Sequence, residues 1–198
     1  MYHRARTLDV SMLPPAWRRA RQVHFGPIAY EVDPAFADLF AETPLCVTPQ
    51  GWMRHREPDG RIRPIGWDAA SRVLPRSDLA VLSVEDIAHN PALEAEFAAL
   101  APVLFLTRAE QGGTVYIHGE PHHYDAYPAE QVDPTGAGDI FATVLHIVRY
   151  QLGDLWRAID VAARLAAKSV TRRGFLGAPT PEEVAEALAA VEVEPPKR

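Results

Sequence analysis

The sequence predicts an α/β fold in three layers, with a mostly parallel sheet and helices on both of its faces. The first observation is alternation, because short apolar strands and helical segments follow one another along most of the chain. The second is that "LAVLS" and "VLFLT" are apolar at nearly every position, which is typical of parallel strands buried on both faces. The length of 198 residues favours a single domain over residues 1–198.

The first half of the chain begins this alternation. "RQVHFGPIA" predicts a strand that ends at Gly26, and "DPAFADLFAE" predicts a helix with Asp33 as its N-cap and Pro34 at its first position. "PLCVTP" predicts the next strand. In "GWMRHREPDGRIRPIGW", the pair Asp59–Gly60 between alternating residues predicts a β-hairpin.

The middle of the chain continues the pattern. "WDAASRVLPRS" predicts a brief helix before the strand "LAVLS". "NPALEAEFAAL", with Asn90 as its cap, predicts a helix that leads into the strand "VLFLT". "GGTVYIHGEPHHYDAYP" then predicts a second hairpin around Gly119–Glu120.

The remainder of the chain, from Gly136 onward, is predicted to be helical. Breaks near Gly153 and at Arg173–Gly174 divide it into three helices. Thr180 caps the last of them, and two glutamates follow in its first turn.

Composition narrows the classes of function. The formal net charge of -6 disfavours non-specific binding to nucleic acid. Cys46 is the only cysteine, so an internal disulfide is excluded and a reducing compartment is favoured. The sequence contains no apolar run of membrane-spanning length and nothing like a signal peptide at its start. We therefore expect a cytoplasmic, soluble protein that binds neither nucleic acid nor membrane.

The stretch "DPTGAGD" carries the strongest chemical signal. A helix that starts here leaves N–H groups without partners, and glycines let an anion approach those groups closely. Gly136, Ala137 and Gly138 thus predict an anion cradle, with Asp139 beside it to take a proton from a hydroxyl. A purely structural interpretation stays open at this point, in which Thr135 caps the helix, Asp139 favours its dipole and the glycines form a tight turn.

"DPTGAGD" followed by an apolar helix resembles the C-terminal signature of the ribokinase-like (pfkB) carbohydrate kinases, and "AYPAEQVDPTGAGDIF" is most similar to the myo-inositol kinase-like branch. "HFGPIAYEV", "LTRAEQGG" and "AARLAAKSVTRRGFLGAPTPEEV" extend the resemblance over nearly the whole chain. It covers only the C-terminal part of the family, so the N-terminal lid region is expected to be absent from these residues.

The resemblance implies an ATP- and Mg²⁺-dependent kinase that phosphorylates a hydroxyl of a sugar or cyclitol. It makes Asp139 the general base, and the backbone of Gly136, Ala137 and Gly138 the anion hole. The nucleotide-binding residues that it implies are Thr107, Gly112, Val170 and Gly174.

The sequence departs from the family pattern at three positions in two of its motifs. Ser83 and Asp86 stand where the family has Asn-x-x-Glu, so Asp86 becomes the expected metal ligand, acting through water. Ala109 replaces a glycine, which costs stability if that position needs a positive φ.

The residues leave two interpretations open. The chain is either a kinase or a non-catalytic, kinase-derived fragment that binds nucleotide or a partner protein. A sheet without its early strands also exposes an edge, which is compatible with a homo-oligomer.

Overall fold

The computed structural model describes residues 5–193. It contains a mostly parallel sheet with helices, as the sequence predicts. The strands are β1 (Val23–Phe25), β2 (Leu45–Val47), β3 (Arg54–Arg56), β4 (Ile62–Pro64), β5 (Leu79–Ser83), β6 (Val103–Thr107), β7 (Gly113–Ile117) and β8 (Glu120–Tyr124). The helices are α1 (Phe36–Leu39), α2 (Ala70–Val73), α3 (Pro91–Leu100), α4 (Ala137–Leu152), α5 (Leu155–Ser169) and α6 (Pro181–Val193).

The strands form two sheets. A six-stranded sheet has the order β1-β2-β5-β6-β7-β8, and β3 and β4 pair separately as a hairpin. β1 runs parallel to β2, and β2 runs parallel to β5. β1 is therefore an edge strand of the larger sheet.

The described residues divide into two compact units. The first unit contains the residues up to Phe105 together with Tyr116–Glu120. The second unit contains Leu106–Val115 and the residues from Pro121 onward.

The core of the first unit is aromatic around a buried β2. Trp52 and Trp67 stack with ring centroids 5.4 Å apart, and Phe25 meets Trp52 edge to face at 6.5 Å. Cys46, in the middle of β2, is 0% exposed. Cys46 is therefore a core residue, and its burial raises the pKa of its thiol.

The helix predicted over "DPAFADLFAE" is much shorter than expected. Its N-cap is Ala35, and α1 has only 4 residues. The Asp33 carboxylate accepts the Ala35 N–H at 2.8 Å, so Asp33 closes a turn before the helix and the prediction that it is the N-cap is wrong. Phe36 and Phe40 both pack against Phe25, with centroids 6.2 and 6.0 Å apart. Packing of these rings decides the conformation of this segment.

Both predicted hairpins are present. In the first, β3 and β4 are antiparallel and Gly60 in the connecting turn has φ 88°. In the second, the turn residues are His118 and Gly119, both at positive φ, so the turn lies one residue earlier than predicted.

The predicted caps of the longer helices are confirmed. The Asn90 side chain accepts the Ala92 N–H at 2.9 Å at the start of α3. Gly153 ends α4 in the left-handed conformation. In the second unit, α4 packs against α5 and α5 packs against α6.

The absence of a signal peptide and of a membrane span was expected from the sequence. The first of these expectations concerns a stretch that begins with residues 1–4, which lie outside the described residues. Within residues 5–193, the helices are all too short or too polar to cross a bilayer.

Candidate active site

The loop that leads from β8 to α4 is anchored at two places in the second unit. The Tyr127 hydroxyl donates a hydrogen bond to Asp160 of α5. Further along, the N–H groups of Val132 and Asp133 both donate to the carbonyl of Val170, at 2.8 and 3.0 Å. Because Val170 is the C-cap of α5, this helix fixes the approach to α4.

The start of α4 is an open, glycine-lined helix N-terminus. Gly136 is its N-cap and has φ 85° and ψ -2°, a left-handed conformation that favours glycine. A Cβ added at Gly136 or at Gly138 would have no neighbouring atom within 4 Å. The N–H groups of a first helical turn lack intrahelical acceptors, so an anion has room to reach them. Ala137 lies between the two glycines and is partly exposed.

Asp139 lies in the first turn of α4 and is exposed. Its carboxylate therefore belongs to the same helix end as the glycines, where a negative charge is favoured by the helix dipole. A water-accessible carboxylate beside backbone donors is able to accept a proton from a bound hydroxyl. Its role as the general base stays a prediction.

Asp133 links the cradle to the segment after α5, and sequence reasoning missed this role. One carboxylate oxygen accepts the Thr135 N–H at 3.0 Å, and the other accepts the Gly174 N–H at 3.0 Å. These bonds, led by the one from Gly174, and the nearby charge of Arg173 hold the pKa of Asp133 below its ordinary value of 3.8. The sequence signals the local turn through Asp-Pro-Thr. It contains no signal for a bond to a residue 41 positions away.

Thr107 and Gly112 lie at a tight turn of the second unit, between β6 and β7. Thr107 ends β6 and is partly buried. Gly112 has φ 76°, and an added Cβ would stand 2.0 Å from the carbonyl oxygen of Tyr124. Close packing against the end of β8 therefore already requires glycine at this position. Ala109 in the same turn has φ 51°, which confirms that alanine occupies a position suited to glycine.

Val170 and Gly174 come close to the cradle through backbone hydrogen bonds. Gly174 has φ 54° and donates its N–H to Asp133, while the Val170 carbonyl receives the two N–H groups described above. The two residues after Gly174 are strongly exposed, Phe175 fully and Leu176 at 74%. Their exposure was not predicted, since nothing in "RRGFLGAP" says which side chains face solvent.

Asp86 belongs to the first unit, directly after β5. Its Oδ1 accepts the Gln50 side-chain amide at 2.7 Å and lies 3.7 Å from the Arg54 guanidinium. Its Oδ2 accepts both the N–H and the hydroxyl of Ser83, each at 2.9 Å. The side chain is 7% exposed. Metal binding by Asp86 therefore stays a prediction, and a metal bond would have to replace one of these donors.

Metal-ligating side chains do not gather elsewhere in the part of the chain that is described. Residues 5–193 contain no group of three or more His, Cys, Asp or Glu side chains placed to hold a metal ion.

Comparison with protein families agrees with this architecture. The family described as "pfkB family carbohydrate kinase" matches residues 74–182, which is more than half of the chain. The fructokinase of Escherichia coli is 26% identical over 185 residues, covering 83% of this chain and 59% of that enzyme. The chain thus spans about three fifths of the length of this relative.

Comparison with solved structures finds the same fold. A pyrophosphate-dependent myo-inositol-1 kinase, converted by mutation into a myo-inositol-3 kinase, superposes with a TM-score of 0.77 and 17% identity, covering 96% of this chain and 69% of that chain. A protein described as a ribokinase II of E. coli, in complex with ATP and Mg²⁺, superposes with a TM-score of 0.60 and 23% identity, covering 84% of this chain and 58% of that chain.

Proposed function

Because the chain belongs to the pfkB family of carbohydrate kinases, we propose that it transfers the γ-phosphate of ATP to a hydroxyl group of a sugar or cyclitol. The observation that carries this proposal is the open N-terminus of α4, where two glycines leave space for an anion and Asp139 follows in the same turn. Backbone donors that are fixed before the reaction are well suited to stabilise charge on a transferring phosphoryl group.

In this mechanism Asp139 accepts the proton of the acceptor hydroxyl. The hydroxyl oxygen attacks the γ-phosphorus in line, so that one O–P bond forms while the bond to the β-phosphate oxygen breaks and ADP leaves. The N–H groups of Gly136, Ala137 and Gly138 donate to the oxygens of the transferring group. The anchored loop holds these donors still, so little reorganisation accompanies the transfer.

The nucleotide is proposed to bind in the second unit. Thr107 and Gly112 would line its phosphates, and Val170 and Gly174 would border its base. The hydrogen bonds that the Gly174 and Thr135 N–H groups donate to Asp133 support this assignment, because one carboxylate ties the base side to the phosphate side.

Magnesium, when bound with the nucleotide, supplies positive charge on the donor phosphates. Asp86, the residue expected to hold it through water, would have to give up a donor to bind the ion directly, since its two oxygens already accept three hydrogen bonds and Arg54 lies 3.7 Å away. No step of the proposed mechanism therefore passes through a metal held by this chain.

A second candidate function is nucleotide binding without catalysis. One observation favours it: the Asp86 carboxylate, where the family pattern has a longer acid, is buried and already accepts three hydrogen bonds. The intact cradle and the exposed Asp139 favour catalysis.

The proposed acceptor is a small molecule, and the proposed compartment is the cytoplasm, where the single cysteine stays reduced. Self-association through the edge strand β1 is a further part of this proposal. Light scattering coupled to size exclusion measures it directly.

The deciding experiment tests fructose, ribose and myo-inositol as acceptors, and measures the release of ADP when ATP is the donor and of orthophosphate when pyrophosphate is the donor. We expect Asp139→Asn to lower turnover by about 10²–10⁴-fold, with ADP affinity within about twofold of the wild type because the cradle backbone is unchanged. Asp125→Asn, an exposed acid of the same unit, is the matched control and should retain turnover.

Turnover that survives in Asp139→Asn would remove this residue as the base. A chain that binds ADP but shows no turnover with any acceptor or donor would instead establish the second candidate.

A further inference from the structure

A polar cluster lies at one edge of the sheet in the first unit. It consists of Gln50, Arg54, Ser83 and Asp86, and we call it the Asp86 cluster. Gln50 follows the carboxyl end of β2, and Ser83 is the last residue of β5. These two strands are parallel neighbours, so their carboxyl ends meet at the same edge. In open α/β sheets, ligands bind at that edge.

The centre of the cluster is a buried carboxylate that accepts three hydrogen bonds and lies 3.7 Å from an arginine. An ionised carboxylate has about four lone-pair positions. Oδ1 of Asp86 faces the Gln50 amide and the Arg54 guanidinium, and Oδ2 faces the N–H and the hydroxyl of Ser83. The groups that contact the two carboxylate oxygens in these four interactions are all donors, an arrangement that suits an ionised Asp86.

Asp86 alone would favour a cation at this site, whereas the positively charged Arg54 beside it favours an anion. Its side chain is 40% exposed, whereas the Asp86 side chain is 7% exposed. Only the Nη2 atom approaches Asp86, at 3.7 Å, and within residues 5–193 the guanidinium makes no second ion pair. A guanidinium has five N–H donors in a planar fork. Asp86 engages one end of this fork, and the exposed part of the Arg54 side chain brings positive charge to the edge of the sheet where ligands bind.

We propose that Arg54, oriented by Asp86, binds a phosphate group of a substrate at this edge of the first unit. The identity of the anion as phosphate rests on the proposed phosphotransfer function, whereas the geometry alone indicates an oxyanion. The guanidinium fork matches two oxygens of a phosphate, and the buried Asp86 holds the fork in place. Arg54 then neutralises phosphate charge without a metal bound to Asp86.

The first test is equilibrium binding of inorganic pyrophosphate by calorimetry in the presence of EDTA. We expect Arg54→Gln to weaken binding at least about tenfold, because a charge-assisted contact is lost. Arg54→Lys should be weakened to an intermediate degree, since it keeps the charge and loses the fork.

The matched control is Arg63→Gln on the other strand of the same hairpin. Arg63 pairs with His55 in register, so its side chain points to the hairpin face opposite that of Arg54. It is 63% exposed and pairs with Glu57 at 2.8 Å. This variant removes the same charge and should bind pyrophosphate within about twofold of the wild type. Equal losses in Arg54→Gln and Arg63→Gln would overturn the proposal, because they would indicate a general effect of charge.

The same titration with glucose 6-phosphate identifies the source of the phosphate. Arg54-dependent binding of pyrophosphate assigns the contact to the phosphate donor, and Arg54-dependent binding of the sugar phosphate assigns it to a phosphate ester. Either result supports the proposal. If neither ligand depends on Arg54, or if binding requires Mg²⁺ and is insensitive to Arg54→Gln, the proposal is wrong.

A second measurement needs no variant and no catalysis. Phenylglyoxal modifies exposed arginines, and mass spectrometry measures the rate at each site. We expect pyrophosphate in EDTA to slow modification of Arg54 severalfold and to leave Arg63 unchanged. The experiment applies equally to the Asp139→Asn chain, so loss of kinase activity does not affect its outcome. Equal protection of both arginines, or none, contradicts the proposal.

Discussion

Glycine stands at two positions of the second unit for opposite reasons. At Gly112 the chain needs both a positive φ of 76° and the absence of a side chain, since a Cβ would lie 2.0 Å from a backbone oxygen. At Gly138 no atom outside its chain neighbours and the backbone of its own helix lies within 4 Å of the Cβ position, so the protein leaves this space open. The first glycine serves packing, and the second leaves room for a ligand.

Alanine at these two positions should separate stability from binding. Gly112→Ala should lower the free energy of unfolding by roughly 2–4 kcal/mol, because backbone must move to relieve the clash. Gly138→Ala should leave stability unchanged or raise it by about 0.5 kcal/mol, since alanine is the better helix former, yet weaken ADP binding. Urea unfolding and ADP calorimetry on both variants measure the two effects. A stable Gly112→Ala protein would refute the packing explanation.

Asp133 makes the loop before α4 sensitive to acid. Its pKa in the folded state is lowered by the bonds from Gly174 and Thr135, so ionised Asp133 stabilises the folded chain. This contribution is complete above the unfolded pKa near 3.8 and is lost as pH falls through the lower folded value. The difference in melting temperature between the wild type and Asp133→Asn should therefore be constant near neutral pH and shrink below about pH 4. A difference that stays constant down to the lowest pH would show that the carboxylate charge contributes nothing.

At the scale of elements, the last helix depends on a reciprocal cap. The Thr180 hydroxyl accepts the Glu183 N–H at 3.3 Å, and the Glu183 carboxylate accepts the Thr180 N–H at 3.0 Å. Glu183 also pairs with Arg172 at 3.1 Å. The cap thus joins the start of α6 to the segment that follows α5.

Loss of this cap should be measurable. Thr180→Ala should lower the free energy of unfolding by about 1 kcal/mol. Glu182→Gln, at the exposed neighbour in the same turn, should change it by less than about 0.5 kcal/mol. Chemical denaturation of the two variants gives both values, and equal effects would argue against a specific cap.

The elements that sequence reasoning predicted well are those set by local chemistry. The buried strands β5 and β6 follow from apolar runs, and the start of α3 follows from Asn-Pro. The helix after Asp33 was predicted too long because aromatic packing, rather than capping, decides that segment. The start of α4 was predictable from its glycines and acid, whereas anion binding there stays a prediction.

The hydrogen bonds that define the candidate sites could not be predicted from the sequence. Asp133 meets a residue 41 positions away, and Asp86 meets an amide 36 positions away. Such contacts depend on which strands are adjacent in the sheet. The apolar pattern of one strand does not indicate which strand lies beside it. The resemblance of "SVED" to a metal-binding motif therefore gave no warning that donors would surround Asp86.

At the scale of the whole molecule, the predicted functional residues divide between the two units. The cradle, Asp139 and the residues proposed to contact nucleotide all belong to the second unit, whereas the Asp86 cluster belongs to the first. The boundary between the units runs through β6, β7 and β8, so each of these strands contributes residues to both.

The rate at which the buried Cys46 is alkylated measures how often the first unit opens. A thiol that is 0% exposed and has a raised pKa reacts with an alkylating reagent only when the first unit opens. Because three strands are shared, we expect the units to open together. ADP at 100 times its Kd should then slow alkylation of Cys46 by about 100-fold, although the nucleotide is proposed to bind in the other unit. An unchanged rate would mean that the first unit opens independently, so one cysteine records whether ligand binding stabilises the chain as a whole.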